Sequence, residues 1–191
     1  SPFEDHTRYS LSGGSFGTVK ASLQHSTRLS DSMGVSVEGR LFSTDGYNVV
    51  RSDQRGPVDT ASESDYEYLR LQLAQQINED WQWALTGQYF NEDRINGTPL
   101  SPNSTEATDL SWTLTKNPGA GPGFNFVGFY QDRDFQNVFS SVAADRASER
   151  QVLDQYSVPA EALGAQATFY WEGNGYVNFL AGGDFRYSEG S

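Results

Sequence analysis

Apolar and polar positions alternate with a period of two along most of this chain, the signature of β-strands with two unlike faces. Gly17, Val19, Ala21 and Leu23 fall on one side, against Thr18, Lys20, Ser22 and Gln24 on the other. Val35, Val37, Gly39 and Leu41 repeat the pattern, as do Leu69, Leu71 and Leu73. Trp81, Trp83, Leu85, Gly87 and Tyr89 follow, then Leu110, Trp112 and Leu114. Leu163 to Trp171 and Val177 to Phe185 close the series. The stretch Phe124–Gln131 is apolar on both sides and its faces cannot be told apart. A short strand near Thr7–Ser12 is placed to pair with Phe16–Ser26 across Gly13–Gly14. No segment carries a helical period; the best candidate, Ser148–Tyr156, is short and unpatterned.

The predicted strands run about 9–12 residues, against about 5–6 in soluble domains, and a tilted membrane-crossing strand needs about 9–11. Their connections sort by length. Leu29–Met33, Asn78–Asp80, Asn117–Gly123 and Glu172–Gly175 are short, whereas Ser43–Asp65, Asn91–Ala107 and Asp132–Ala162 are long. Short and long alternate, so all tight turns fall at one edge of the sheet. The expected fold class is therefore all-β: an antiparallel up-and-down transmembrane β-barrel segment of about 8–9 long strands. Short periplasmic turns would close one end and long extracellular loops the other.

Aromatic residues, 14% of the chain, gather at the strand ends. Trp81, Trp83, Phe124, Phe126, Trp171 and Tyr176 lie beside short turns. Phe42, Tyr47, Tyr66, Tyr68, Tyr89, Phe90, Phe129 and Tyr130 lie beside long connections. Two such bands match the aromatic girdles at a bilayer's two interfaces. Glu38, Arg40, Arg70, Asp109, Asp184 and Arg186 fall on the opposite, inward faces, where charges need water or a polar plug.

Net charge is −12, which argues against a nucleic-acid partner, because phosphate contacts need a basic face. The chain has no cysteine, so no disulfide framework or thiolate metal site is available. No apolar run is long enough for a transmembrane helix, and the opening SPFEDHTRYS does not read as a signal peptide. His6 and His25 are the two histidines, far apart in sequence. No nucleophile elbow, phosphate loop or paired-carboxylate motif accompanies them, so the expectation is a non-enzyme without a cofactor. Asp53, Asp59 and Asp65 could together take a hard cation, though their spacing fits no EF-hand loop.

Loops on a rigid scaffold commonly carry binding. The candidate ligand residues are accordingly Tyr47, Asn48, Arg51, Arg55, Arg94, Arg133 and Arg146. Arginine's planar fork suits carboxylates, phosphates and other oxygen-rich groups.

Several stretches also resemble one known family. GGSFGTVKASLQHS (Gly13–Ser26), STDGYNVV (Ser43–Val50), DQRGPVD (Asp53–Asp59) and NGTPLSPN (Asn96–Asn103) resemble the early barrel of TonB-dependent outer-membrane receptors. SSVAADR (Ser140–Arg146) and LAGGDFRYSEG (Leu180–Gly190) fit the same family, and the resemblance covers nearly the whole chain. It implies a bacterial outer-membrane receptor that takes up a scarce solute such as a siderophore, cofactor or oligosaccharide. Its partners would be outer-membrane lipid, the small solute, and a TonB complex acting through a plug. No plug, TonB box or aromatic insertion signal is recognised, so the expectation is a segment, roughly the first third of such a barrel. Two other readings stay open: a soluble carbohydrate-binding β-sandwich, with shorter strands and unsorted loops, and a small closed outer-membrane barrel acting as adhesin or hydrolase.

Overall fold

A computed structural model of the chain describes residues 2–118, 121–172 and 177–190. Nine strands form one antiparallel sheet in which every strand pairs with its neighbours in sequence. They are β1 His6–Gly13, β2 Val19–Ser30, β3 Met33–Thr44, β4 Ser64–Gln76, β5 Trp81–Ile95, β6 Pro102–Lys116, β7 Gly123–Val142, β8 Glu149–Glu172 and β9 Asn178–Gly190. The sheet is open: β1 pairs only with β2 and β9 only with β8. No second sheet covers either face among the described residues, so the layer required by a β-sandwich is missing.

The registers bring the alternating apolar sets into line. Leu73 faces Leu85, Leu85 faces Trp112, Trp112 faces Gly128, Gly128 faces Ala165, and Ala165 faces Phe185. One row nearer the long loop, Leu71, Gly87, Leu110, Tyr130, Leu163 and Tyr187 stand side by side. A slip of one residue in any strand would turn its apolar set to the other face, so the shared pattern fixes the registers together. The result is an apolar face that runs across β3–β9, with Thr7, His25 and Thr27 in the same rows on β1 and β2. On β8 it runs from Leu163 to Trp171, roughly 26 Å at about 3.3 Å per residue. The same registers orient the ambiguous stretch. Phe124, Phe126, Gly128 and Tyr130 join the apolar face, and Asn125, Val127, Phe129 and Gln131 the other.

Burial shows which way the sheet curls. The side chains buried within the strands (Ser26, Ala74, Ala84, Thr86, Ala107 and Ala162) all belong to the polar face. Leu23, Leu71, Leu110, Trp112, Leu163 and Phe185 on the apolar face are exposed. The polar face is thus the concave, crowded one, and the apolar face is convex and bare.

Glycine fits the crowding at Gly164, where the Phe129 ring from the paired strand lies over the bare backbone. A methyl there would run into that ring and come within 2.9 Å of the Phe185 carbonyl oxygen. Gly164→Ala is expected to destabilise the sheet by about 1–3 kcal/mol, the usual cost of overpacking. Urea titration of the folded chain measures it, and adding Phe129→Leu should recover part of the loss.

Two expectations are corrected. Ser43–Asp65 is indeed a long connection, with 45–63 lying between β3 and β4, but Asn91–Ala107 and Asp132–Ala162 are not long loops. Strand pairing continues through them and leaves only the turns 96–101 and 143–148. β7 and β8, with 20 and 24 residues, therefore form a tall hairpin that rises well beyond the apolar face. Ser148–Tyr156, the best helix candidate, falls largely within β8. The aromatic bands are corrected as well. Phe42, Tyr66, Tyr68, Phe90 and Phe129 point to the polar face and cannot belong to an outer girdle. Tyr89 and Tyr130 stand on the apolar face at that end, and Trp81, Trp83, Phe124, Phe126 and Trp171 at the other. Tyr176 and the turn 173–176 lie outside the described residues.

Candidate functional site

Two regions at the long-loop end carry the polar and aromatic side chains. The first is a cap of interlocked connections. At one side the β1–β2 turn holds the long loop: Asp45 donates its amide to the Phe16 carbonyl at 3.0 Å, and the Phe16 and Tyr47 rings lie 6.0 Å apart. Further along, Thr60 donates to the Gly97 carbonyl at 3.0 Å, and Ile95 donates to the Glu63 carbonyl at 3.1 Å. The β5–β6 turn then reaches the next hairpin, with the Leu100 amide donating to Glu149 Oε2 at 3.1 Å.

The strongest link joins the long loop to the tip of the β7–β8 hairpin. Arg146 donates Nε to Asp59 Oδ2 at 2.7 Å and Nη2 to Asp59 Oδ1, a two-pronged pair. Asp59 is 1% exposed at its side chain and Arg146 29%. The Gly56 amide adds a third bond to Asp59 Oδ2 at 2.8 Å, and Val58 donates to the Arg146 carbonyl at 3.3 Å. Arg146 sits at φ 53°, a left-handed conformation that aims its side chain from the turn. Gly56 is needed because a β-carbon there would collide with the Arg146 carbonyl. The guanidinium, helped by the Gly56 amide, holds the Asp59 carboxyl down at about 2, against desolvation that pushes it up. Asp59 favours folding above its ordinary 3.8, and that contribution is lost as the pH falls through about 2. The cap is therefore expected to keep this link at pH 4 and lose it near pH 2, which limited proteolysis of the long loop across that range would show.

The second region is the concave face just below the cap. Phe42 stacks on Tyr66 with centroids 5.1 Å apart, and Tyr66 meets Phe90 at 5.9 Å, a ladder of rings across β3, β4 and β5. Lys20 Nζ lies 5.4 Å from the Phe42 ring centre, and the Arg40 guanidinium 5.4 Å from that of Tyr68. Beside the ladder, a groove of about 350 Å³ is lined by Arg8, Ser10, Ser12, Lys20, Ser22 and Arg40 among others. Deeper on this face, Tyr68 donates to Gln88 Oε1 at 2.7 Å, and Gln131 donates to Asp109 Oδ1 at 2.9 Å. Arg40 is paired with Glu38. A larger groove on the convex face lies over Gly39 between Leu23, Leu41, Leu69 and Tyr89.

The seven residues singled out from the sequence scatter over these regions. Arg146 is engaged by Asp59 and holds the cap together. Arg51 pairs with Asp53 at 3.1 Å, both exposed, and Arg55 donates to the Val50 carbonyl at 3.1 Å. Tyr47 is exposed and Asn48 half-buried on the same loop. Arg94 and Arg133 stand on the concave face, Arg94 beside Glu92 at 2.5 Å and Arg133 at 3.7 Å from Asp109. Only Tyr47, Asn48, Arg51 and Arg55 share one loop. Asp53, Asp59 and Asp65 do not converge: the first two are taken by arginines and Asp65 is on β4. No group of three metal-ligating side chains occurs among the described residues. His25 Nδ1 is hydrogen-bonded to Thr7 Oγ1 at 2.9 Å on an exposed strand pair.

Sequence reasoning missed the ring ladder with Lys20, because aromatics were sorted by strand end and not by face. The signal was available: Phe42 and Phe90 are each one residue out of phase with Leu41 and Tyr89. No protein-family model and no curated protein matches this chain.

Proposed function

We propose that this chain is part of the wall of a bacterial outer-membrane β-barrel of the TonB-dependent receptor kind, which captures a scarce solute and passes it inward. The observation that carries the reading is the convex face: the registered strands β3–β9 present one uncovered apolar surface. An exposed apolar area of that extent marks an interaction with lipid or protein. Its apolar run on β8, the nine residues from Leu163 to Trp171, suits the span of about 9–11 residues with which a tilted strand crosses a bilayer. Lipid would cover this face, with acyl chains filling the groove over Gly39. The polar concave face would line the lumen. The unpaired edges of β1 and β9 are where further strands would continue the wall, since no sheet edge can stay open within a bilayer. The turns 31–32 and 77–80 would lie in the periplasm, and the cap at the cell surface. The residues of the cap and the face below it would meet the solute, and a TonB complex acting through a plug would drive its passage.

Two measurements on intact cells test this. A protease site inserted within 51–55 should be cut from outside, whereas one inserted at 78–80 should be cut only after the envelope is opened. The reverse pattern, or equal cutting of both, contradicts the proposed topology. A protonophore should stop accumulation of the bound solute. Uptake that continues would indicate a passive pore, and surface binding without uptake an adhesin.

A further inference from the structure

The chain is acidic overall, yet its strand cations are not evenly spread. Arg8, Lys20, Arg40 and Arg70 all stand on the concave face of β1–β4, with Glu38 as the carboxylate among them. Glu38 is taken by Arg40. Among the described residues, Arg8, Lys20 and Arg70 form no ion pair, and Arg70 Nε is buried without a hydrogen-bond partner. A net charge of −12 makes this concentration of unmatched positive charge the more pointed. It lies beside the aromatic ladder Phe42–Tyr66–Phe90 on that face. Serine hydroxyls complete the setting, Ser10 and Ser22 bonded to each other at 2.8 Å and Ser12 further along the groove.

We infer that this groove binds an acidic saccharide, with its carboxylates on Lys20 and Arg8 and its hydroxyls along Ser10, Ser12, Ser22 and Gln24. Each part of the ligand answers a feature of the wall. Unpaired cations select an anion, and the Arg8 guanidinium can donate two parallel bonds to a carboxylate. Serine hydroxyls match a polyol better than a bare arene, because they both donate and accept. A volume of about 350 Å³ falls at the lower end of ligand-sized pockets, enough for a few sugar units along an open groove. The inference rests on the concave face being the solvated interior, as proposed above.

The test is calorimetric titration of trigalacturonate into the complete barrel that contains this wall, held in detergent micelles at low salt. Saturable binding is expected, weakened about tenfold by Lys20→Gln, since a charge-assisted bond is lost. Lys20 is exposed, so this variant should fold normally. Arg8→Gln should weaken binding by a similar factor and Arg8→Lys should restore only part of it, since an ammonium cannot donate two bonds to one carboxylate in plane. Raised salt should weaken the complex, and the neutral trisaccharide should bind at least tenfold more weakly. Three results would overturn the inference: no binding of trigalacturonate, binding unchanged in Lys20→Gln and Arg8→Gln, or binding of salicylate in place of the saccharide. Lipid quenching of tryptophan in the same chain reports the membrane reading separately, so a lost ligand and a lost membrane assignment are distinguishable.

Discussion

Leu85→Arg should cost about 2–4 kcal/mol of folding stability in a bilayer, the range for a charge at the lipid-facing midplane of a barrel. Leu85 stands in the central row of the convex face, between Leu73 and Trp112, and is 40% exposed. In water, an arginine at so exposed a position would be nearly neutral. In lipid, the guanidinium has neither solvent nor a partner on that face. Ser111→Arg is the matched control. It changes the neighbouring strand on the concave face, close to Asp109, and should cost well under 1 kcal/mol as an ordinary polar-face substitution. Urea unfolding of the complete barrel from phospholipid vesicles measures both. Equal costs for the two variants would remove the asymmetry on which the membrane assignment stands.

The second large effect belongs to the cap. Asp59→Ala should free the long loop from the β7–β8 hairpin, because it deletes three hydrogen bonds at once and leaves Arg146 without a partner. Amide exchange at Gly56, Val58 and Thr60 should speed up by at least about tenfold, while exchange in β4 and β5 stays unchanged. Arg146→Ala should do the same. Arg146→Lys should rescue little, since an ammonium cannot bond both carboxylate oxygens in plane. If these amides keep their protection in Asp59→Ala, the loop is held by its other contacts, Thr60 to Gly97 and Ile95 to Glu63.

Much of this fold was legible in the alternation itself. The apolar sets at Leu69–Leu73, Trp83–Tyr89 and Leu110–Leu114 named their strands, and the structure registers them on one face. Gly13–Gly14 pointed to the β1–β2 hairpin, which forms around the turn 14–18. The strand ends were not legible. From Asp132 to Ala162 the apolar rhythm fades, and the stretch reads as a loop. Backbone pairing needs no apolar side chains, however, and the β7–β8 ladder continues through it, with two register shifts near Phe135 and Phe139. Those irregularities break the phase that a period-two reading relies on.

The candidate site was only partly visible, for a different reason. Arg146 drew attention as a loop arginine, yet its partner lies 87 residues away, and no local pattern announces the pair. Which arginines are satisfied and which are free is a property of the assembled sheet. Arg51 and Arg94 have carboxylates two residues off and are engaged by them. Lys20 and Arg8 have none and face the groove.

The most direct test of the account uses the chain's four tryptophans, Trp81, Trp83, Trp112 and Trp171, all of which stand on the convex apolar face. A version of the complete barrel that keeps only these four tryptophans is folded into vesicles of brominated phosphatidylcholine, and its intrinsic fluorescence is compared with that in unbrominated vesicles. The account predicts strong quenching by the brominated acyl chains and little by aqueous acrylamide. Loss of quenching should be greatest in Trp112→Phe when the bromines sit deep in the chains. Fluorescence untouched by brominated lipid but quenched freely by acrylamide would place this face in water and contradict the account.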